Sequence, residues 1–275
     1  MRAACVIGWP VEHSRSPLIH NYWLKHYGIA GDYRRELVPR EEFASFIASL
    51  AARGYVGANV TVPHKEAALA LSEPDERGRA VGAVNTLWFA DGILRSTNTD
   101  VEGFLENLDA CVPQWEQTTG NALVLGAGGA ARAVIHGLLA RGLKQIAVVN
   151  RTPARAEAVR RTFGDRVRLV RWDDIATALS DAALLVNTTT LGMKGQPDLT
   201  IDITRLPAGA VVADLVYVPD FTPLLLAAKN RGLRTADGLG MLLHQAVRGF
   251  ALWFGKQPEV TAELRALVAA DLDPA

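Results

Sequence analysis

Two side chains suited to proton transfer lie within the first hundred residues of the chain. Lys65 ends the polar segment Asn59-Val60-Thr61-Val62-Pro63-His64-Lys65, and Asp100 ends the segment Asn98-Thr99-Asp100. A secondary alcohol that is oxidised to a ketone loses a hydride and a proton, and a base beside the hydroxyl accepts the proton. A lysine paired with a carboxylate can supply that base. We therefore interpret Lys65 and Asp100 as a candidate acid–base pair, with a solvated lysine and a helix-capping aspartate as the structural alternative.

Polar side chains follow several predicted strands, at the positions where an open α/β sheet collects its ligand groups. They include Ser14, Asn59, Thr61, Lys65 and Asp100. Hydroxyl, amide, ammonium and carboxylate groups favour a small polyhydroxylated acid over an apolar ligand. Ser16-Pro17 has a structural alternative, because serine is a common helix N-cap and proline a common first helical residue.

A glycine-rich segment, Gly126-Ala127-Gly128-Gly129-Ala130-Ala131, follows one predicted strand and opens a predicted helix. It matches the dinucleotide-binding pattern G-x-G-x-x-A. The first glycine permits a tight turn, the second lets the backbone approach a pyrophosphate, and the small third residue allows close helix–strand packing. A glycine cluster alone is often just a turn, but the strand and helix on either side favour dinucleotide binding.

The end of the next predicted strand indicates which dinucleotide is bound. Proteins that bind NAD carry an acidic residue about 20 positions after the first glycine, where it binds the ribose hydroxyls. Here Asn150 lies 24 residues after Gly126 and is followed by Arg151, Thr152 and Arg155. Two guanidinium groups can pair with a phosphate, which favours NADP. Solvated arginines at a strand end are the alternative.

The order of predicted elements indicates an α/β fold with two domains. Short strands alternate with helices, and the turn Asp91-Gly92 predicts an antiparallel hairpin at the edge of the first sheet. The predicted strands are 3–7, 33–38, 58–62, 84–89, 93–96, 122–125, 146–149, 167–170, 183–186 and 210–214. The predicted helices are 16–27, 41–52, 101–108, 130–141, 155–163, 223–231, 239–254 and 262–272. The last two have no strands of their own, so we expect the C-terminus to return to the first domain.

Composition restricts the classes of partner. The chain has 275 residues, with 29 Lys and Arg against 29 Asp and Glu, so it has no basic excess for nucleic-acid binding. The apolar run 3–7 is too short for a signal peptide, and no segment suits a membrane span, so we expect a cytoplasmic protein. Cys5 and Cys111 indicate neither a disulfide framework nor a metal site.

Seven motifs occur in the order typical of shikimate dehydrogenases, and the chain resembles that family from Val6 to about Phe254. The motifs are His13-Ser14-Arg15-Ser16-Pro17, the segment ending at Lys65, Gly82-Ala83-Val84-Asn85-Thr86, the segment ending at Asp100, the glycine-rich segment, Asn150-Arg151-Thr152, and Asp237-Gly238-Leu239-Gly240-Met241. Several motifs in one order are far more specific than a glycine loop alone. The resemblance implies a two-domain α/β enzyme that reduces 3-dehydroshikimate to shikimate with NADPH.

The resemblance also implies roles for individual residues. Lys65 and Asp100 match the catalytic pair and contact the substrate. Ser14 and Ser16 are expected to bind the substrate carboxylate, while the other substrate oxygens are expected at Thr61, Asn85, Tyr217 and Gln245. The implied NADP residues are Gly126, Ala127, Gly128, Gly129, Ala130, Asn150, Arg151, Thr152 and Arg155, with Leu215, Gly238 and Met241 at the nicotinamide end and Glu76 as a weaker match.

Two positions depart from the commonest family pattern. Trp9 stands where many members have asparagine, and Thr97 stands where aspartate or tyrosine is frequent. The nearest alternative function is a quinate/shikimate dehydrogenase with broader substrate and cofactor use. A non-catalytic sensor of the same ligands is the alternative from another class, although both members of the catalytic pair are present.

The resemblance and the element order together predict the domain limits. Residues 1–103 with 239–275 are expected to form an open α/β substrate domain, and residues 104–238 a Rossmann-type NADP-binding domain. We expect no nucleic-acid or membrane partner and no metal. The sequence leaves a monomer and a homodimer equally open.

Overall fold

The computed structural model describes residues 2–117 and 120–272 and has two compact units. Unit 1 comprises Met1–Asp100 and Gln245–Val268, and unit 2 comprises Val101–His244 and Ala269–Ala275. The boundaries between the two units lie three and six residues from the predicted domain boundaries, and residues 269–272 are assigned to unit 2 although they were predicted in the substrate domain. The predicted domain limits stay a prediction. The predicted outer limits, residues 1 and 275, lie outside the described residues.

Unit 1 contains a mixed sheet flanked by short helices. Within the described ranges its strands are β1 (Arg2–Gly8), β2 (Gly31–Leu37), β3 (Tyr55–Val60), β4 (Glu73–Pro74), β5 (Thr86–Ala90) and β6 (Ile93–Thr97). Its helices are α1 (Ser16–His26), α2 (Phe43–Ala48), α3 (Lys65–Ala70) and α4 (Glu76–Val81). The helix α5 (Asp100–Cys111) begins at the last residue of this part of unit 1.

The sheet of unit 1 has the strand order β2-β1-β3-β5-β6-β4. The strands β2, β1 and β3 are parallel, whereas β5 runs antiparallel to both β3 and β6. The predicted hairpin is present, and Asp91 and Gly92 have the positive φ values, 53° and 77°, of a tight hairpin turn. Its predicted place at the edge is wrong, because β4 pairs outside β6. Pro74 suits that edge position since it has no amide hydrogen to donate.

Unit 2 contains a fully parallel sheet. In the part of the chain that the structure describes, its strands are β7 (Asn121–Leu125), β8 (Ile146–Val149), β9 (Val167–Val170), β10 (Ala182–Asn187), β11 (Val211–Asp214) and β12 (Arg234–Ala236). The helices that follow its strands are α6 (Gly129–Ala140), α7 (Pro153–Phe163), α8 (Ile175–Ser180) and α9 (Pro223–Asn230). Most of α10 (Gly238–Phe254) and of α11 (Ala262–Leu272) belongs to unit 1. The strand order, β12-β11-β10-β7-β8-β9, is that of a Rossmann fold.

Both faces of the parallel sheet are buried, as the crossover helices require. Along β7, Ala122 and Val124 face one apolar cluster while Leu123 and Leu125 face the other. The strand order reverses between β7 and β10, because later strands are added on opposite sides of these two neighbours. Ligands of such sheets bind beyond the carboxyl ends of the strands at this point.

The second half of α10 packs on the sheet of unit 1. Trp253 is 2% exposed, and its Nε1 donates a hydrogen bond to the carbonyl of Leu87 at 2.8 Å. A Cβ atom on Gly57 would lie 2.1 Å from the same Nε1, so this strand position has room for glycine alone. The second half of α10 is therefore part of the core of unit 1.

Candidate active site

Lys65 and Asp100 form a partly buried ion pair in unit 1. The Lys65 Nζ lies 2.5 Å from Asp100 Oδ2, and the two side chains are 19% and 9% exposed. Each residue begins a helix, Lys65 at the start of α3 and Asp100 at the start of α5. The interpretation of Lys65 as a solvated surface lysine is therefore wrong. A partly desolvated lysine held by a carboxylate can donate a proton to a substrate oxygen as the ammonium and accept one from it as the neutral amine.

Asn85 connects the ion pair to the sheet. Its Nδ2 donates a hydrogen bond to Asp100 Oδ1 at 2.8 Å, so each oxygen of the carboxylate has a donor. The Asn85 side chain is buried, as is that of Asp100. Lys65, Asn85 and Asp100 are thus brought together by direct contacts.

The candidate carboxylate-binding serines lie at the start of α1, after β1. Ser14 is half-buried and Ser16 is 6% exposed, and the backbone amide of Ser16 donates to Ser14 Oγ at 3.3 Å. The expected N-cap role of Ser16 is wrong, because Arg15 is the N-cap and Ser16 is already helical. The backbone carbonyl of Ser14 is held by the guanidinium of Arg35, at 3.1 and 2.7 Å.

Thr61 and Gln245 are the remaining candidate substrate residues of unit 1. Thr61 directly follows β3, which is the parallel neighbour of β1, so it lies at the same sheet edge as the loop that carries Ser14. The backbone amide of Thr61 donates to the carbonyl of Ile7 at 2.9 Å. Gln245 is 9% exposed on α10. Tyr217, half-buried after β11, belongs to unit 2.

The glycine-rich loop of unit 2 joins β7 to α6 at the point where the strand order reverses. Gly126 has φ +111°, and a Cβ atom there would lie 2.5 Å from Thr188 Oγ1, which follows β10. Gly128 is exposed, and a Cβ atom there would meet nothing within 4 Å. Gly129 begins the 12-residue helix α6, and Ala127 and Ala130 are buried and half-buried. Free space beside unpaired helix amides fits a pyrophosphate.

Asn150, Arg151, Thr152 and Arg155 surround the start of α7, directly after β8. The Nδ2 of Asn150 donates to the carbonyl of Thr152 at 2.8 Å, and the amide of Arg155 donates to the same carbonyl at 3.1 Å. Arg151 and Arg155 are exposed, and no carboxylate among the described residues pairs with either guanidinium. The residues present therefore fit the extra phosphate of NADP.

Leu215, Gly238 and Met241 come together beyond the end of β11. A Cβ atom on Gly238 would lie 2.4 Å from the carbonyl oxygen of Leu215, so the start of α10 lies directly against this backbone. Met241 is 9% exposed and belongs to the same apolar cluster as Ala127, against which Leu215 also packs. The three residues thus form one apolar surface close to the glycine-rich loop.

A buried carboxylate that sequence reasoning missed supports this surface. Asp214 ends β11 and is 1% exposed, and it accepts hydrogen bonds from Asn187 Nδ2 at 2.8 Å, Thr222 Oγ1 at 2.7 Å and the amide of Val216 at 3.1 Å. Burial raises the pKa of Asp214 to about 6, and these donors oppose the shift. Its position at a strand end was the available signal.

Three further candidate residues belong to unit 1. Glu76 is exposed at the start of α4, so it is in a different unit from the other candidate cofactor residues. Trp9 is 48% exposed, and its amide donates to the carbonyl of Val62 at 3.0 Å. Thr97 is fully buried and ends β6.

The described residues lack two further kinds of feature. Across residues 2–117 and 120–272, no helix is long and apolar enough to cross a membrane. Nor do the described residues include a cluster of three or more histidine, cysteine, aspartate or glutamate side chains suited to a metal ion.

The fold and the site define an α/β oxidoreductase with a dinucleotide-binding sheet. Family models match three parts of the chain: "Shikimate dehydrogenase substrate binding domain" at residues 6–87, "Shikimate / quinate 5-dehydrogenase" at 112–193 and "Shikimate 5'-dehydrogenase C-terminal domain" at 238–267. The chain belongs to the shikimate dehydrogenase family.

Individual relatives resemble the chain over nearly its whole length. The shikimate dehydrogenase (NADP(+)) of Rhodopseudomonas palustris strain TIE-1 is 66% identical over 99% of this chain and 98% of that protein. The shikimate 5-dehydrogenase of Thermus thermophilus, solved with NADP(H) and shikimate, is 37% identical with a TM-score of 0.86, covering 99% of this chain and 100% of that chain. The quinate dehydrogenase of Corynebacterium glutamicum, solved with NAD, is 31% identical with a TM-score of 0.89, covering 98% of each chain.

Proposed function

We propose that this protein is an NADP-dependent shikimate dehydrogenase in which Lys65 and Asp100 form the proton-transferring pair. Shikimate and NADP⁺ give 3-dehydroshikimate, NADPH and a proton, and the biosynthetic direction is the reverse. The observation that carries the proposal is the 2.5 Å contact between Lys65 Nζ and Asp100 Oδ2 in a partly buried setting. Homologues of high identity are NADP-dependent shikimate dehydrogenases, and the matching family models agree with this activity.

Each candidate residue has a task in this reaction. In the reductive direction the ammonium of Lys65 donates a proton to the ketone oxygen and stabilises the developing alkoxide, while Asp100 holds Lys65 and binds a substrate hydroxyl. Ser14 and Ser16 bind the substrate carboxylate at the start of α1, where helix amides favour an anion. The other substrate oxygens are bound by Thr61, Asn85, Tyr217 and Gln245.

The cofactor residues of unit 2 act on different parts of NADP. The cofactor supplies the hydride acceptor for oxidation and the hydride donor for reduction. The segment from Gly126 to Ala130 receives the pyrophosphate, and Asn150 to Arg155 receives the additional phosphate. Leu215, Gly238 and Met241 pack at the nicotinamide end, and Glu76 makes a weaker contact. In the same proposal the enzyme is cytoplasmic, is a monomer or homodimer, and has no nucleic-acid partner.

The test is NADPH consumption with 3-dehydroshikimate, and NADP⁺ reduction with shikimate. Lys65→Met keeps the side-chain length and removes the charge, so kcat should fall by about 10²–10⁴-fold, the usual value of acid–base catalysis. Lys25→Met, at an exposed lysine on α1, is the matched control and should behave as the wild type. Near-wild-type kcat in Lys65→Met would overturn the assigned pair, and a non-catalytic sensor predicts no turnover at all.

Quinate and NAD⁺ are tested in the same assay. Quinate carries one additional hydroxyl, which a site discriminates strongly only if it specifically binds or rejects that group. We expect the highest kcat/KM for shikimate with NADP⁺. Equal values for quinate or for NAD⁺ would favour the quinate/shikimate dehydrogenase instead.

A further inference from the structure

A buried series of hydrogen bonds runs through unit 1 behind the candidate catalytic pair. It begins at Tyr33 on β2, whose hydroxyl donates to Asn59 Oδ1 at 2.6 Å. The Nδ2 of Asn59 then donates to the carbonyl of Asn85 at 3.2 Å and to Thr86 Oγ1 at 3.1 Å. Tyr33, Asn59, Asn85 and Thr86 are each 5% exposed or less. Tyr33 on β2, Asn59 on β3 and the start of β5 are thereby connected by hydrogen bonds.

The same series continues to the ion pair. Asn85 Oδ1 accepts from the amide of Thr99 at 2.8 Å and from Thr99 Oγ1 at 3.1 Å, which fixes the orientation of the Asn85 amide. Asn85 Nδ2 is then directed at Asp100 Oδ1, and Asp100 Oδ2 receives Lys65. Thr86 Oγ1 also donates to Asn85 Oδ1 at 3.1 Å. Tyr33 is therefore connected to Lys65 through buried side chains and through the backbone carbonyl of Asn85.

The surroundings of Tyr33 keep its hydroxyl protonated and in place. Burial raises the pKa of Tyr33 well above its ordinary value, and the nearby Ser16 hydroxyl acts in the opposite direction. The ring stacks on His20, with centroids 4.1 Å apart and planes 12° apart. His20 is fully buried, and desolvation lowers its pKa to about 3, so the stacked imidazole is neutral. The phenol proton is available to Asn59.

We propose that Tyr33 is a positioning residue for the Lys65–Asp100 pair, acting through the side-chain amide of Asn59. This inference rests on the proposed function. The oxygen of a side-chain amide accepts hydrogen bonds, whereas its nitrogen donates them. Because the Tyr33 hydroxyl donates, it holds Asn59 with Oδ1 toward β2. Without it, a buried carbonyl loses a short hydrogen bond, and the amide can rotate to bring Oδ1 against the carbonyl of Asn85.

A movement of Asn59 is transmitted to the catalytic pair through Asn85 and Thr86. Asn85 directly precedes β5 and Thr86 is its first residue, and Asn59 Nδ2 donates to both. A shift there moves the Asn85 side chain that donates to Asp100. Small displacements of catalytic groups lower rates substantially, so we expect a loss in kcat rather than in cofactor binding.

The experiment is a double-mutant cycle in kcat with Tyr33→Phe and Asn59→Ala. Tyr33→Phe should lower kcat with shikimate by about tenfold and leave the KM for NADP⁺ unchanged. In the Asn59→Ala background, Tyr33→Phe should cause no further loss, because the two residues act in series. Tyr55→Phe is the matched control: it removes the hydroxyl of another buried tyrosine of this sheet, which binds Glu36 outside the series, and kcat should stay near wild type.

A second pair of variants covers the case in which Tyr33→Phe does not fold. Thr86→Val removes the hydroxyl that accepts from Asn59 and donates to Asn85 Oδ1, whereas Thr86→Ser keeps it. The serine variant should therefore retain the higher kcat at equal thermal stability. A kcat within twofold of wild type in Tyr33→Phe, independent losses that multiply in the double variant, or equal kcat in the two Thr86 variants would overturn the inference. An inactive wild-type protein would refute the proposed function, and this inference with it.

Discussion

The variant Gly128→Ala distinguishes an effect on cofactor binding from an effect on the stability of the folded protein. A Cβ atom at this exposed position meets nothing within 4 Å, and its φ of −89° and ψ of −169° suit any residue. Alanine is a poorer N-cap than glycine, but it also lowers the entropy of the unfolded chain; each effect is below about 1 kcal/mol, and they oppose each other. We expect the melting temperature of Gly128→Ala to equal that of the wild type.

Binding of NADP⁺ should respond quite differently. A methyl group at residue 128 keeps the pyrophosphate away from the amides at the start of α6. Loss of one hydrogen bond to a charged group costs about 1.5–3 kcal/mol, which corresponds to a KM for NADP⁺ raised by about 10- to 150-fold. The KM for shikimate should stay within about twofold, because the substrate residues of unit 1 are untouched.

Two other glycines complete the measurement. Gly126→Ala forces an alanine to φ +111° with its Cβ 2.5 Å from Thr188 Oγ1, so it should lower the melting temperature. Gly209→Ala is the control, because this exposed glycine also has nothing within 4 Å and needs no positive φ. Steady-state kinetics and thermal unfolding of all three variants give the KM for NADP⁺ and the melting temperature that test this expectation. An unchanged KM for NADP⁺ in Gly128→Ala, or a loss of stability as large as in Gly126→Ala, would refute the reasoning.

Further predictions concern the phosphate, the carboxylate and pH. Arg151→Ala should raise the KM for NADP⁺ at least about tenfold and leave that for NAD⁺ unchanged; equal wild-type efficiency with both cofactors would contradict this. Ser16→Ala should weaken shikimate binding in calorimetry without affecting NADP⁺, whereas equal weakening would indicate a structural role. The folded protein holds the Asp214 proton more tightly than the unfolded chain, so this group contributes a fall in unfolding free energy of about 3 kcal/mol as pH rises from about 4 to 6. His20 contributes a rise, between about pH 3 and 6.5, because the unfolded chain binds its proton more tightly. Urea unfolding across this pH range gives the unfolding free energy, whose fall should be absent in Asp214→Asn and whose rise should be absent in His20→Phe. An unchanged pH dependence in these variants would refute the assignments.

Local signals in the sequence were sufficient for the elements that carry the chemistry. The turn Asp91-Gly92 and the glycine-rich segment each combine a residue that adopts positive φ with flanking apolar runs, and both lie where they were predicted. Gly142, which directly follows the predicted helix 130–141, has φ +92° two residues after the end of α6. The fold class followed from the order of such elements.

Short elements and contacts distant in sequence were not predictable. The helices α3, α4 and α8 have six residues each, and β4 and β12 have two and three, so none is long enough for a hydrophobic period to be recognised. The contact of Tyr33 with Asn59, and that of Asn187 with Asp214, depend on strand register in the folded sheet. Asn59 was predicted as a ligand group, yet it lies within β3 and each of its polar side-chain atoms has a partner within the protein.

The division of unit 1 into two stretches of chain has a consequence for biosynthesis. Residues 101–244 separate the stretches, and Trp253 and Trp23 bind the carbonyls of Leu87 and Glu259 across 166 and 236 residues. A ribosome that adds about 5–20 residues per second needs roughly 10–30 s to proceed from Asp100 to Val268. During this interval unit 2 is nearly complete, while the aromatic surface that Trp253 covers is still open. The unit whose synthesis begins first thus stays incomplete until Val268 has been added, and its open aromatic surface is exposed during that time.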